Sequence, residues 1–208
     1  MIKKIILISG PTASGKSNLA IKLAKKIKGE IINADSMQIY KELSILTSRP
    51  LKKEQGNIRH HLYGFLPAKK YFSVGQWLEL VKKKINQIIK RQKIPIIVGG
   101  TGLYFNAITK GISKIPKFKE KERQKLRKQH KKIGQKKFYQ KLLKIDPRCK
   151  KFISSTDTQR TLRAYEVKLF TNKSIYAWAE NTKSDFVNFD IKKIYIDTPR
   201  DILLNNIS

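Results

Sequence analysis

Acidic side chains are scarce in this 208-residue chain: 15 Asp and Glu stand against 46 Lys and Arg, a net charge of +31. A charge of that size repels itself in a compact state unless something anionic shares it. Nucleic acid is the natural partner. A Lys-, Ile- and Asn-rich genome bias explains part of the lysine excess, but not its distribution along the chain. Cysteine occurs once, at Cys149. That excludes an intramolecular disulfide, fits a reducing cytosol, and gives no reason to assign the thiol a catalytic role. Histidine is nearly absent, and no His/Cys cluster has zinc-ligand spacing. No run of 18 apolar residues is present, and the chain opens on a strand-like segment without a leader pattern. A cytoplasmic protein with no membrane span is expected. No internal repeat is found. The length allows one domain, or one domain with an insertion, and 40% hydrophobic residues make a somewhat lean core.

What the chain does have begins at Gly10-Pro-Thr-Ala-Ser-Gly-Lys-Ser17. This G-x-x-x-x-G-K-S pattern follows the apolar run Ile5-Ile6-Leu7-Ile8 and precedes a helical pattern. Gly10 and Gly15 let the backbone curl so that N–H groups point at phosphate oxygens. Lys16 adds a point charge, and the Ser17 hydroxyl suits Mg²⁺. The following helix aims its positive end at the same anion. The plain alternative, an ordinary Gly-rich turn, does not account for the flanking strand and helix. The motif predicts a bound diphosphate or polyphosphate without saying whether it is ATP.

Strands are predicted at Ile5–Ser9, Glu30–Asn33, Pro95–Val98 and Lys193–Asp197. Helices are predicted at Ser17–Ile27, Val74–Lys90, about Asp157–Phe170 and from Pro199 on. Apolar strands alternating with helices argue an α/β fold with a parallel sheet covered on both faces. Residues 110–151 differ in character: 18 Lys or Arg oppose three acids, so about half the net charge sits in a fifth of the chain. This segment is expected to be mostly helical, with an apolar stripe of Phe138, Tyr139, Leu142 and Leu143. A basic helical module, 112–190, is therefore expected as an insertion into an α/β core of 1–111 and 191–208.

Three further groups stand out. Asp35-Ser-Met-Gln-Ile-Tyr40 follows the second strand, where a parallel sheet opens its ligand crevice. Asp35 reads equally well as a general base, a metal-associated carboxylate, or the N-cap of a following helix. Gly99-Gly-Thr-Gly-Leu-Tyr104 ends the third strand in the same crevice, offering close backbone approach and the Thr101 hydroxyl; the alternative is an ordinary turn. Arg160 and Arg163 are three apart, hence on one helical face, suited to RNA phosphates or bases or simply to solvent. His60 and His61 point opposite ways if extended and read as structural.

Taken together and in order, these motifs resemble the tRNA dimethylallyltransferases. To those above the resemblance adds His60-His-Leu62, Tyr71-Phe-Ser73, Asp146-Pro147 and Asp157-x-Gln-Arg-x-x-Arg-Ala-x-Glu166. It implies transfer of a dimethylallyl group from dimethylallyl diphosphate to N6 of the adenosine 3′ to the anticodon. Gly10, Pro11, Thr12, Ala13, Ser14, Gly15, Lys16 and Ser17 would then hold the donor diphosphate, a loop also described in the family as an ATP site, with Mg²⁺ on Ser17. Asp35 would be the base, acting with Lys16 and Thr101. Asp35, Ser36, Met37, Gln38, Thr101, Arg123, Gln159, Arg160, Thr161, Leu162 and Arg163 match positions that contact the tRNA. A monomer binding the anticodon stem-loop is expected. The chain departs from the family at Leu46-Thr-Ser-Arg-Pro50, where G-T-A-K-P is usual. It departs again at Gly64, where Asp usually follows H-H-L-x, and at Ser154-Ser-Thr-Asp157. Family members continue beyond residue 208, so their C-terminal part is expected to be missing. A P-loop kinase of a small metabolite and an inactive RNA-binding remnant are the alternatives.

Overall fold

The computed structural model describes residues 3–206. They divide into two compact units: the chain up to Gly111 together with the part from Ser184, and Ile112–Lys183.

The first unit is built on a parallel sheet. β1 (Lys3–Ser9) leads to α1 (Lys16–Ile27) and β2 (Gly29–Asn33). A short α2 (Lys52–Gln55), a two-residue β3 (His60–His61), α3 (Val74–Lys90), β4 (Ile94–Gly99) and α4 (Gly102–Thr109) follow. After the second unit the chain returns as β5 (Phe189–Tyr195) and α8 (Arg200–Asn205). The strand order is β3-β2-β4-β1-β5, with every pair parallel. Successive side chains of a strand take opposite faces. Ile6 and Ile8 of β1 join Ile31, Ile96 and Val98 in a core with Ala20, Ile21 and Ala24 of α1. α3 packs against β2 and β4, burying Trp77, Leu78, Val81, Ile85 and Ile88 at helical spacing. α3 starts where a capping box sets it: Ser73 Oγ accepts from Gln76 N, and the Gln76 side chain accepts from Ser73 N.

The second unit is helical. α5 (Glu120–Ile145) is kinked at Gly134, whose φ of 79° leaves the helical region. A 3-10 turn (Pro147–Lys151), α6 (Thr158–Thr171) and α7 (Ile175–Glu180) complete it. Its core gathers Leu142, Cys149, Ile153 and Ala164, edged by Tyr139, Leu143, Tyr165, Ile175 and Tyr176. Cys149 is fully buried, and burial pushes its thiol up to about 12, with Asp146 adding to the effect. It packs as a small apolar residue and is not a nucleophile.

Several sequence expectations are corrected. The last strand was expected at 193–197, yet it runs Phe189–Tyr195. Lys192 and Lys193 hid it, because an edge strand within the described residues tolerates exposed lysine where a central one does not. Residues 184–190, counted with the helical module, belong to the first unit. There the Ser184 hydroxyl donates to the Ile108 carbonyl, and Lys82 pairs with Asp185 at 3.0 Å. The segment 110–119 is not helical. The last two residues of the expected final helix lie outside the described residues. No helix among the described residues is long and apolar enough to cross a membrane.

One ion cluster ties the sheet to α3. Glu30 on β2 is fully buried. Its carboxylate accepts from Arg91 Nε (3.0 Å) and Nη2 (2.7 Å) and from His61 Nε2 (2.7 Å). Burial alone would raise its pKa, but hydrogen bonds from Arg91 and His61 outweigh that and hold it at about 2. Burial keeps His61 below the ordinary histidine value. Both shifts act in one direction: each group binds fewer protons folded than unfolded. Glu30 therefore contributes stability above its ordinary pKa of 4.5, which is lost as pH falls through about 2. Glu30→Gln is expected to cost about 2 kcal/mol at neutral pH, the scale of hydrogen bonds to a charged group. Denaturant unfolding should show the gap between wild type and variant closing as pH is lowered from about 5 towards 2.

Candidate functional site

In a parallel sheet all carboxyl ends face one way, and the register decides which residues meet there. Ser9 pairs with Gly99, and Asn33 with Val98. The loops that leave β1, β2 and β4 thus start side by side.

The loop after β1 is short of partners. Gly15 takes φ 77° to turn the chain into α1, a conformation that disfavours any side chain. The first turn of α1 has no acidic residue and no side-chain cap, so its N–H groups are open to an anion. Lys16 is buried, and its Nζ donates to the Pro11 carbonyl at 2.8 Å. Among the described residues it makes no ion pair. Burial lowers its pKa, and the charge of Asp35 opposes that only in part. The Ser14 hydroxyl is buried without a hydrogen-bond partner. A buried cation, an orphaned hydroxyl and an uncapped helix start converge on one loop, and each is relieved by a bound anion.

The loop after β2 is held from several sides. Asn33 is fully buried. Its Oδ1 accepts from Asp35 N (2.9 Å), and its Nδ2 donates to the carbonyls of Asp35 (2.9 Å) and Leu62 (3.1 Å). Its own carbonyl accepts from Trp77 Nε1 at 3.0 Å, and Trp77 stacks on Tyr104 with ring centroids 4.0 Å apart. Asp35 Oδ1 accepts from Met37 N (2.8 Å) and Gln38 N (3.4 Å). The capping geometry weighed from the sequence is present, but it caps a turn; the next helix starts at Lys52. Asp35 is near enough to Lys16, Tyr63 and Tyr104 for its charge to act on all three. Burial first, then Tyr40 and Asp35, push the Tyr104 phenol up to about 12.

Thr101 joins the third loop to the second. Its hydroxyl accepts from Ser36 N (2.9 Å) and donates to Ser36 Oγ (3.3 Å), while its N–H donates to the Ala34 carbonyl (3.2 Å). Gln38 reaches across to the Thr47 carbonyl (2.8 Å), and Met37 is half exposed. Two departures noted in the sequence form one local arrangement: the Arg49 guanidinium occupies the space where a Cβ on Gly64 would stand. There it donates to the Tyr40 carbonyl at 3.2 Å.

In the helical unit Asp157 caps α6, with Oδ1 accepting from Arg160 N at 2.9 Å. Gln159 and Arg160 are exposed, the Arg160 side chain 72% so. Leu162 is half-buried. Thr161, placed among the RNA-contacting positions, is fully buried, and its side chain is turned inward. Its hydroxyl donates to the Asp157 carbonyl (2.6 Å) and accepts from Gln135 Nε2 (3.2 Å). Glu166 is the residue whose part the sequence left unread. It is buried and receives Arg123 Nε on one oxygen and Arg163 Nη1 on the other, each at 2.7 Å. A bidentate carboxylate thus fixes two arginines far apart in sequence. The spacing Arg163 to Glu166, one helical turn, was the available signal. No three His, Cys, Asp or Glu residues among those described gather as a metal site.

The IPP transferase family matches residues 38–208. The tRNA dimethylallyltransferase of Pelagibacter ubique is 60% identical over 205 residues, covering 99% of this chain and 66% of that protein. That of Rickettsia bellii is 46% identical over 202 residues, covering 97% and 64%. A solved eukaryotic dimethylallyltransferase acting on tRNA superposes with a TM-score of 0.79 at 28% identity, covering 99% of this chain and 53% of its own. The chain spans just under two thirds of the length of these curated relatives. By this match, and by the parallel sheet and loops just described, the chain belongs to the IPP transferase family.

Proposed function

We propose that the chain transfers a dimethylallyl group from dimethylallyl diphosphate to N6 of a tRNA adenosine beside the anticodon. One observation carries the reading: the buried Lys16, without an ion pair among the described residues, stands within electrostatic reach of the carboxylate of Asp35, the two following β1 and β2 on either side of β4. The first suits a leaving diphosphate and the second a departing proton. The names of the relatives support the substrate pair.

The chemistry asks for this division. The adenine amine is a poor nucleophile because its lone pair is delocalised into the ring. The allylic carbon leaves readily as a stabilised cation once diphosphate departure is assisted. Lys16, the backbone N–H groups of residues 12–17 and the Ser14 hydroxyl stabilise charge developing on the diphosphate. The C–O bond to diphosphate breaks, the N6–C bond forms, and the N6 proton goes to Asp35. Asp35 Oδ1 is occupied by backbone N–H groups, which leaves the other oxygen for that proton. Thr101 holds the Asp35 loop through Ser36 and is a positioning residue. Ser17 would hold Mg²⁺, which would neutralise diphosphate charge when bound. The adenosine must leave its stack to reach Asp35, costing about a few kcal/mol. Phosphate contacts from the basic unit offset this.

Lys16→Ala is expected to lower kcat by about 10²–10³, the scale of one lost transition-state donor, with tRNA binding kept. Transfer near the wild-type rate would remove the loop from the mechanism. Because burial depresses the Lys16 pKa, donor affinity should fall on the alkaline side before an ordinary lysine titrates. Isothermal titration with dimethylallyl diphosphate across pH 7 to 10 reads this directly.

Asp35→Asn keeps the turn-capping oxygen but takes no proton. The single-turnover rate should fall about 10²–10⁴-fold; a change under threefold would leave Asp35 as a turn cap alone.

Lys128, Lys131 and Lys132 are exposed on α5. Replacing all three by Ala should weaken every tRNA alike and flatten the salt dependence of binding, since phosphate contacts carry little sequence information. An unaltered slope, measured by filter binding, would return them to solvent.

A further inference from the structure

The 3-10 turn and α7 bring an aromatic pair to the surface of the helical unit. The rings of Phe152 and Tyr176 lie 4.3 Å apart at 31°, and Phe152 is 49% exposed. Pro147, Arg148, Lys150, Lys151 and Phe152 line an open groove of about 480 Å³, within the size range that takes a small ligand. The Lys151 ammonium stands 5.7 Å from the Phe152 ring. Burial raises the Tyr176 phenol, and among the charges acting on it is Arg160, the exposed arginine at the start of α6. Further along, Lys173 lies 4.9 Å over the Trp178 ring.

The acids nearby do not cancel this charge. Glu180 is paired to Arg148 at 2.7 Å, Asp157 caps α6, and Asp146 is buried beneath the turn. Lys150 and Lys151 have no carboxylate partner among the described residues. A half-exposed phenylalanine sharing its groove with two lysines that lack a carboxylate partner is a poor surface for an apolar protein partner, which would have to desolvate both ammonium groups. An acidic peptide would satisfy the charge and leave the ring in water. An unpaired nucleotide satisfies both, since its base has a π-face and its phosphates are anionic. A duplex offers the phosphates but hides the base faces.

We propose that Phe152, backed by Tyr176, is a stacking platform for an unpaired base of the RNA, with Lys150 and Lys151 on the flanking phosphates. The inference rests on the reading that this chain acts on an RNA with a single-stranded loop. It adds a contact outside the Gln159–Arg163 segment and outside the diphosphate loop.

The test compares a hairpin RNA carrying an unpaired loop with a fully paired duplex of equal length, binding each to the 208-residue chain. Phe152→Ala should weaken hairpin binding at least about fivefold, the low end for one base–aromatic stack, and leave duplex binding unchanged. Phe152→Leu keeps apolar bulk without a π-face and should lose as much, while Phe152→Trp should retain binding. Lys150→Ala with Lys151→Ala should instead reduce the salt slope by about 0.7 per lost contact. A 2-aminopurine in the loop should be quenched by wild type and not by Phe152→Leu. Hairpin affinities of Phe152→Ala and Phe152→Leu within twofold of wild type overturn the platform. Prenyl transfer is measured in parallel. Transfer by wild type with binding indifferent to Phe152 counts against the platform alone. Phe152-dependent binding without transfer upholds the platform and counts against the prenyltransferase reading.

Discussion

Two strand ends touch backbone to backbone, and the candidate site is organised around that contact. A Cβ on Gly99 would collide with the carbonyl carbon and oxygen of Ala34 and crowd the Asp35 amide. With glycine there, β4 closes on the loop that carries Asp35. Thr101 then reaches both Ala34 and Ser36, and Asn33 ties the same loop from below to Leu62 and Trp77. Asp35 is held by its neighbours' backbone geometry more than by any ion pair. Such preorganisation is what a proton acceptor needs, because reorganisation at the moment of reaction would raise the barrier.

Charge is arranged on a second principle. Acids are few, and two buried ones each bind more than one cationic or proton-donating group. Glu30 gathers Arg91 and His61 within the α/β unit; Glu166 gathers Arg123 and Arg163 within the helical one. The Glu166 pairing orders two arginines that would otherwise repel one another. Lys16 is the exception, buried with a carbonyl where an anion belongs.

What was legible in the sequence follows from how local each signal was. Val74–Lys90 matches the observed helix to the residue, because its amphipathic stripe is a local signal; the Ser73–Gln76 capping box at its start went unread. The loop at Gly10–Ser17 was readable because spacing, strand and helix are contiguous. The strand β5 was displaced because its lysines mask the alternation at a sheet edge. β3 went unassigned because two residues carry no period; its place is fixed by pairing with Ile31 and Ile32 and by Glu30, about thirty residues away. The inward turn of Thr161 was not legible, because α6 brings it to Gln135 on α5, a contact no local pattern encodes. The shared role of Arg123 and Arg163 was hidden for the same reason: the carboxylate that joins them lies 43 residues from the first.

The Arg49 and Gly64 arrangement has a bearing on how this lineage can change. Any side chain at Gly64 would evict the guanidinium, and with it the bond to the Tyr40 carbonyl. Gly64 also sits at φ 53° and donates its N–H to the Gln38 carbonyl, so its loop has little room to retreat. A side chain at Gly64 therefore needs two accommodations: the Arg49 guanidinium must swing aside, and the left-handed backbone stays strained even then. Two loops fifteen residues apart thus share one space, and a chimaera that gives Gly64 a side chain while keeping Arg49 would lose the bond to the Tyr40 carbonyl.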